Sequence, residues 1–203
     1  MEESDLAATE IESEEMQGHS PGRVLRDWIL VVVIALGAAL LVRVYVLQQF
    51  YISGPSMETT LLENNRVLVN KLSYRLHDIH RKDVVVFDRI TTSGGVIAHD
   101  DLIKRVIGVG GDTVEIKDCK VFVNSTEIDE PYLDKEVLAF PNAVERCRVI
   151  DMKPITVPKD QLFVMGDNRP ESFDSRSFGT IPEHLVVGRA FAIVWPFGRI
   201  ATL

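Results

Sequence analysis

Residues 102–109 read LIKRVIGV, and the fold turns on how this stretch is read. Its Leu, Ile and Val residues show no helical recurrence, and Gly108, Gly110, Gly111 and Asp112 close it with turn formers. Short apolar runs rich in β-branched residues and bounded by such clusters read as strands. Similar runs lie on both sides: RVLVNKL at 66–72, DVVVFDR at 83–89, Thr113 to Ile116, Val121 to Val123, QLFVM at 161–165, and Leu185 to Trp195. Together they predict an all-β domain of short antiparallel strands.

Within the opening stretch stands Lys104, next to Arg105. Strand alternation sends these two to opposite faces, so one can be buried while the other is solvated. Burial among apolar groups disfavours the charged form of a lysine and makes it available as a base. A surface lysine on an edge strand has the same local sequence, and both readings stand at this point.

Upstream, residues 53–61 read SGPSMETTL. Gly54 and Pro55 permit a sharp exposed turn, and a hydroxyl held there, that of Ser56, is placed for nucleophilic work if a base is supplied. Downstream, residues 166–179 read GDNRPESFDSRSFG, a polar loop between two strands and too rich in turn formers to be core. The histidines are His19, His77, His80, His99 and His184, and no triad signature selects one of them.

The 203 residues carry a formal charge of −8, but seven acids and no Lys or Arg fall within residues 1–22, leaving −1 for the rest. The acidity is therefore that of a disordered tail. No basic stripe with interleaved aromatics supports nucleic-acid binding. From Trp28 to Val42 the chain has no charge, and with Val44 to Leu47 the run reaches twenty residues, about 30 Å as helix. A segment 23–48 is expected to be a transmembrane anchor and not a cleaved signal, because a small-x-small site is missing before Gln48. Arg23 and Arg26 precede the apolar run and put the tail in the cytoplasm. Residues 117–159, broken by Pro131, Pro141, Pro154 and Pro158, read as an inserted loop-rich subdomain. It holds Cys119 and Cys147, which lack metal-ligand spacing; a disulfide and a pair of buried thiols both remain open. The β domain then comprises residues 49–116 and 160–203.

SGPSMETTL, LIKRVIGVGGD and VMGDNRPESFDSRSFGTIP, in that order behind one amino-terminal span, resemble the type I signal peptidases. The resemblance implies a β catalytic domain that removes signal peptides from exported preproteins. Ser56 matches the nucleophile and Lys104 the general base. Ser172 matches a hydroxyl that orients the lysine, and Asp174 with Arg176 a supporting pair, with Asp167, Asn168 and Arg169 in the same loop. The oxyanion is expected at the Ser56 backbone amide and a second donor. Some members place a serine two positions before the nucleophile, where this chain has Gly54. Thr59 replaces a usual proline and is expected to loosen the turn. The resemblance further implies no metal and no cofactor, signal peptides and the lipid bilayer as partners, and a single-pass cell-membrane protein with its catalytic domain outside. Phe50, Tyr51 and Ile52 are expected to keep the site at the membrane surface. Two rival readings share some features: a relative of the self-cleaving repressors, and a tethered β domain that only binds exported peptides.

Overall fold

The computed structural model describes residues 21–93 and 96–203. The tail expected over residues 1–22 lies, apart from Pro21 and Gly22, outside the described residues. The chain divides into two compact units that meet at Arg43 and Val44.

In the first unit runs helix α1, Pro21–Tyr45, with proline in its first turn, where a missing N–H costs nothing. Within it Gly22–Arg43 is long and apolar enough to cross a membrane, and its Leu, Val and Ile side chains are exposed all round. Such a surface is stable only in an apolar solvent. The expected span from Trp28 to Leu47 is corrected at its far end. Tyr45 ends the helix, and Leu47 already pairs as a strand residue with Asn70.

The second unit is built from twelve strands: β1 Leu47–Tyr51, β2 Arg66–Asn70, β3 Val84–Ser93, β4 Val96–Gly108, β5 Thr113–Lys117, β6 Lys120–Val123, β7 Thr126–Glu127, β8 Met152–Thr156, β9 Gln161–Met165, β10 Ile181–Pro182, β11 Val186–Trp195 and β12 Ala201–Thr202. The larger sheet runs β1-β2-β11-β3-β4-β9-β10, with β12 added to β11. The smaller runs β7-β6-β5-β8, and the pairings in both sheets are antiparallel. The all-β expectation therefore holds.

The unbroken apolar runs have a simple cause: β3 and β9 are covered on both faces. Val84 and Val86 join a core cluster with Ile52, Met57, Leu61, Val67 and Val69, while Val85 and Phe87 join another with Leu162 and Val164. Phe163 and Met165, on the opposite face of β9, reach a third cluster formed with the small sheet.

Among its described residues the unit also holds four short α-helices, α2 Ser73–Leu76, α3 Lys135–Leu138, α4 Ala143–Cys147 and α5 Ser175–Phe178, and two 3-10 turns, Glu183–Leu185 and Phe197–Arg199. The segment 117–159 is more regular than its prolines suggest, holding β6, β7, β8, α3 and α4. Its sheet takes in β5 as well and so begins at Thr113, not Lys117. Cys119 and Cys147 are joined in a disulfide that ties the turn after β5 to the end of α4.

Candidate active site

The Ser56 turn is anchored from below. Met57 and Leu61 are fully buried in the first core cluster, the Glu58 N–H donates to Pro55 O (3.0 Å), and the Leu61 N–H donates to Met57 O (2.8 Å). Gly54 has φ +93°, in the left-handed region where a side chain is strained, and it contributes no hydroxyl. Thr59 stands where the proline would be and makes two long contacts. Its hydroxyl donates to Tyr132 O and its carbonyl accepts from Arg199, each at 3.4 Å.

Lys104 reaches the turn from β4. Its Nζ lies 2.8 Å from Ser56 Oγ and 2.8 Å from Ile103 O, and only 3% of the residue is exposed. Burial pushes the amine down to about 8, against the pull of Asp174 and Asp167, which favour the charged form. The expectation that one of the Lys104–Arg105 pair is solvated fails, because both are buried. Arg105 is compensated on its own face: Nε and Nη2 donate to the two Asp167 oxygens at 2.9 and 2.6 Å, and Nη1 donates to Lys82 O. The Tyr132 ring covers its guanidinium at 4.0 Å.

The polar loop after β9 packs against this pair. Asp174 is fully buried and takes Nε and Nη2 of Arg176 at 2.8 and 2.7 Å, together with the Gly166 N–H at 3.0 Å. Burial alone would raise its carboxyl, yet the Arg176 guanidinium holds it below the ordinary carboxylate range, so it stays ionised. Arg176 also donates to Cys147 O (2.7 Å) and Arg169 O (2.8 Å). The Asn168 N–H donates to Ser56 O at 3.1 Å. Gly166 must be glycine, because a Cβ there would lie 2.3 Å from both Ser56 O and Ser172 Oγ.

Ser172 is buried beside these groups, but the expected bond to Lys104 is not made. Its Oγ adjoins Asp174 and helps hold that carboxyl down as a hydroxyl donor, although it has no partner in close hydrogen-bond geometry among the described residues. Sequence reasoning missed Thr60, Glu130 and Tyr132. The Thr60 hydroxyl donates to Asp167 at 2.6 Å; Glu130 binds Arg169 and takes the Tyr132 hydroxyl at 2.6 Å. Nothing local marks them, since each acquires its partner only through chain folding over 39 or more positions or through burial.

Ser56 and Lys104 share a small cleft of about 70 Å³ with Phe50, Ile52, Ser53, Val86, Leu102 and Ile103. No histidine lines it. Ile52 is buried and Phe50 packs on the core, so the run 50–52 offers only Tyr51 outward and not the apolar face expected of it. Beside the cleft, β9 pairs with β4 only over 105–108, leaving the outer edge of 101–104 without a strand partner among the described residues. A larger cavity of about 620 Å³ lies against the small sheet; Glu130 lines it, and neither Ser56 nor Lys104 does. Among the described residues no group of three or more His, Cys, Asp or Glu side chains is placed to hold a metal ion.

Residues 25–195 match the family model of signal peptidase, peptidase S26. The chain is 38% identical over 178 residues to a probable signal peptidase I-2 of Synechocystis sp., covering 88% of this chain and 75% of that one. It is 40% identical over 166 residues to signal peptidase I V of Bacillus subtilis, covering 80% and 95%. With signal peptidase IB of Staphylococcus aureus it shares 35% identity over 189 residues, 86% and 92% of the two chains. Among solved structures, a signal peptidase I of Enterococcus faecalis aligns with a TM-score of 0.43 at 30% identity, over 56% of this chain and 97% of that one.

Proposed function

This chain belongs to the signal peptidase family, peptidase S26, and from that premise we propose that it is a membrane-bound serine endopeptidase cleaving signal peptides from exported preproteins. Ser56 is the nucleophile and Lys104 the general base. The observation that carries this assignment is the 2.8 Å separation of Lys104 Nζ and Ser56 Oγ, with the lysine buried and its amine lowered to about 8.

In this reading neutral Lys104 takes the Ser56 proton as Oγ bonds to the scissile carbonyl carbon. The resulting oxyanion sits at the Ser56 N–H and a second donor, either main chain or the Ser53 hydroxyl that lines the same cleft. Lys104 passes its proton to the departing amine, the C–N bond breaks, and the signal peptide is left as an ester on Ser56. Lys104 then deprotonates a water that attacks the ester, and its proton returns to Ser56. Asp174 and Arg176 hold the loop that backs the pair, and Ser172 adjoins it.

The substrate enters as an extended strand along 101–104, an edge without a strand partner among the described residues. A cleft of this size, where Phe50, Ile52, Val86, Leu102 and Ile103 stand beside Ser53 and Asp101, favours small side chains before the cut. Helix α1 is the anchor, with Arg23 and Arg26 on the cytoplasmic side. Full-length protein in detergent, incubated with a preprotein, should release the mature chain. Equal product from Ser56→Ala would overturn the nucleophile assignment, and an unaltered rate for Lys104→Met would overturn the base. Protease protection in vesicles reads the topology.

A further inference from the structure

The loop that touches Ser56 is braced from the small sheet. Residues 128–134, IDEPYLD, join β7 to α3 and carry Glu130, whose side chain is 8% exposed. Its carboxylate takes both terminal nitrogens of Arg169, itself 4% exposed, and the Tyr132 hydroxyl. Arg169 Nε in turn donates to Gly166 O at 3.1 Å. Next to this pair lies the Arg105–Asp167 pair, and the Tyr132 ring on Arg105 links the two. The turn 166–169 is thus gripped by Glu130 through Arg169, and by Arg105 and Thr60 through Asp167. That same turn presents the Asn168 N–H and the side-chain-free face of Gly166 to Ser56 O.

We propose that Glu130 is a positioning residue: it holds the 166–169 turn against Ser56 and, by neutralising Arg169, keeps Asp167 committed to Arg105 beside Lys104. The inference rests on the Ser56–Lys104 assignment above. A buried guanidinium stripped of its carboxylate must find another. Asp167 is the carboxylate already acting on Arg169 from nearby. Drawing it away loosens the turn and weakens the negative field at Lys104.

The charge balance gives a sign. Asp174 and Asp167 act on Lys104 directly, Arg176 and Arg105 pair with those two, Arg169, Glu130 and Tyr132 lie behind them, and Asp101, unchanged in every variant, lines the cleft in front. Removing the Glu130 charge makes the surroundings of Lys104 more positive, which favours the neutral amine. The acid limb of kcat/KM therefore moves to lower pH, whereas simple loosening that admits water would move it up.

The test uses full-length protein in detergent with a signal-peptide substrate and compares Glu130→Gln, Glu130→Asp and Tyr132→Phe. The expected result for Glu130→Gln is a plateau kcat lower by about 10–100-fold, as for a small misplacement of a reacting group. KM should change little, the acid limb should move down, and Glu130→Asp should restore most of both. If Glu130→Gln does not fold, Tyr132→Phe, which keeps every charge, carries the test: a plateau rate unchanged would overturn the proposal. An unmoved or raised acid limb in Glu130→Gln would overturn it as well. Ser56→Ala and Lys104→Met run alongside: if they stay active the assignment of the reacting pair fails, and if they are inactive while the Glu130 variants match wild type only this inference fails.

Discussion

The amine of Lys104 lies at about 8 where an exposed lysine lies at 10.5, a difference worth about 3 kcal/mol. At pH 8 about half of the molecules carry a neutral base, and at pH 6 only about 1%. Without the shift, about 0.3% would be neutral at pH 8. If Lys104 must be neutral to take the Ser56 proton, kcat/KM should rise about 50-fold from pH 6 to pH 8 and level off above pH 9. The perturbation is the pH itself, and the assay is initial cleavage of a quenched fluorescent signal-peptide substrate at concentrations well below KM. Buffers of constant ionic strength keep screening fixed. A flat profile, or a limb centred near 10.5, would refute the claim that burial prepares this lysine. The same shift has a stability cost of opposite sense. The folded pKa lies below the unfolded one, so folding becomes less favourable as pH falls from 10.5 to about 8, and the penalty is constant below that. Lys104→Met should therefore be inactive yet melt higher at pH 7, on the order of 5–10 °C, with the gap closing above pH 10.

Gly166→Ala places a Cβ 2.3 Å from Ser56 O, a main-chain atom that cannot swing aside. It should lower kcat by about 100-fold, and wild-type kinetics would contradict the packing. Arg176→Met leaves the Asp174 carboxylate buried without its cation and frees Cys147 O. Thermal or urea unfolding should report a loss of about 3–5 kcal/mol at neutral pH. Reducing Cys119–Cys147, which closes 28 positions of chain, should cost about 3.5 kcal/mol by loop entropy. Calorimetry with and without dithiothreitol measures this, and identical melting curves would show that the small sheet holds its shape without the staple.

How much of this was legible follows from particular residues. DVVVF and QLFVM read as strands from composition alone, because β3 and β9 are buried on both faces and need apolar residues at every position. Leu47–Tyr51 did not: LQQFY is short, carries two glutamines and has no β-branched residue, and only its pairing with Arg66–Asn70 makes it a strand. In the small sheet β5 and β6 were legible as the runs at 113–116 and 121–123, whereas β8 (MKPIT) contains a proline and becomes a strand only through β5.

For the site, the local words SGPSM, IKR and FDSR marked Ser56, Lys104, Ser172, Asp174 and Arg176, and a resemblance attached roles to them. Sequence by itself determined the residue types the chemistry needs, the long apolar helix and the β class, because these depend on composition and short-range order. Only the tertiary structure decided that Lys104 and Arg105 are both buried and that the lysine loses its proton near 8. It also decided that Glu130 and Tyr132 from a distant segment brace the loop on Ser56. The reason is physical: desolvation and ion pairing depend on which groups meet in space, and at 2.8 Å across 48 positions no local pattern encodes that meeting.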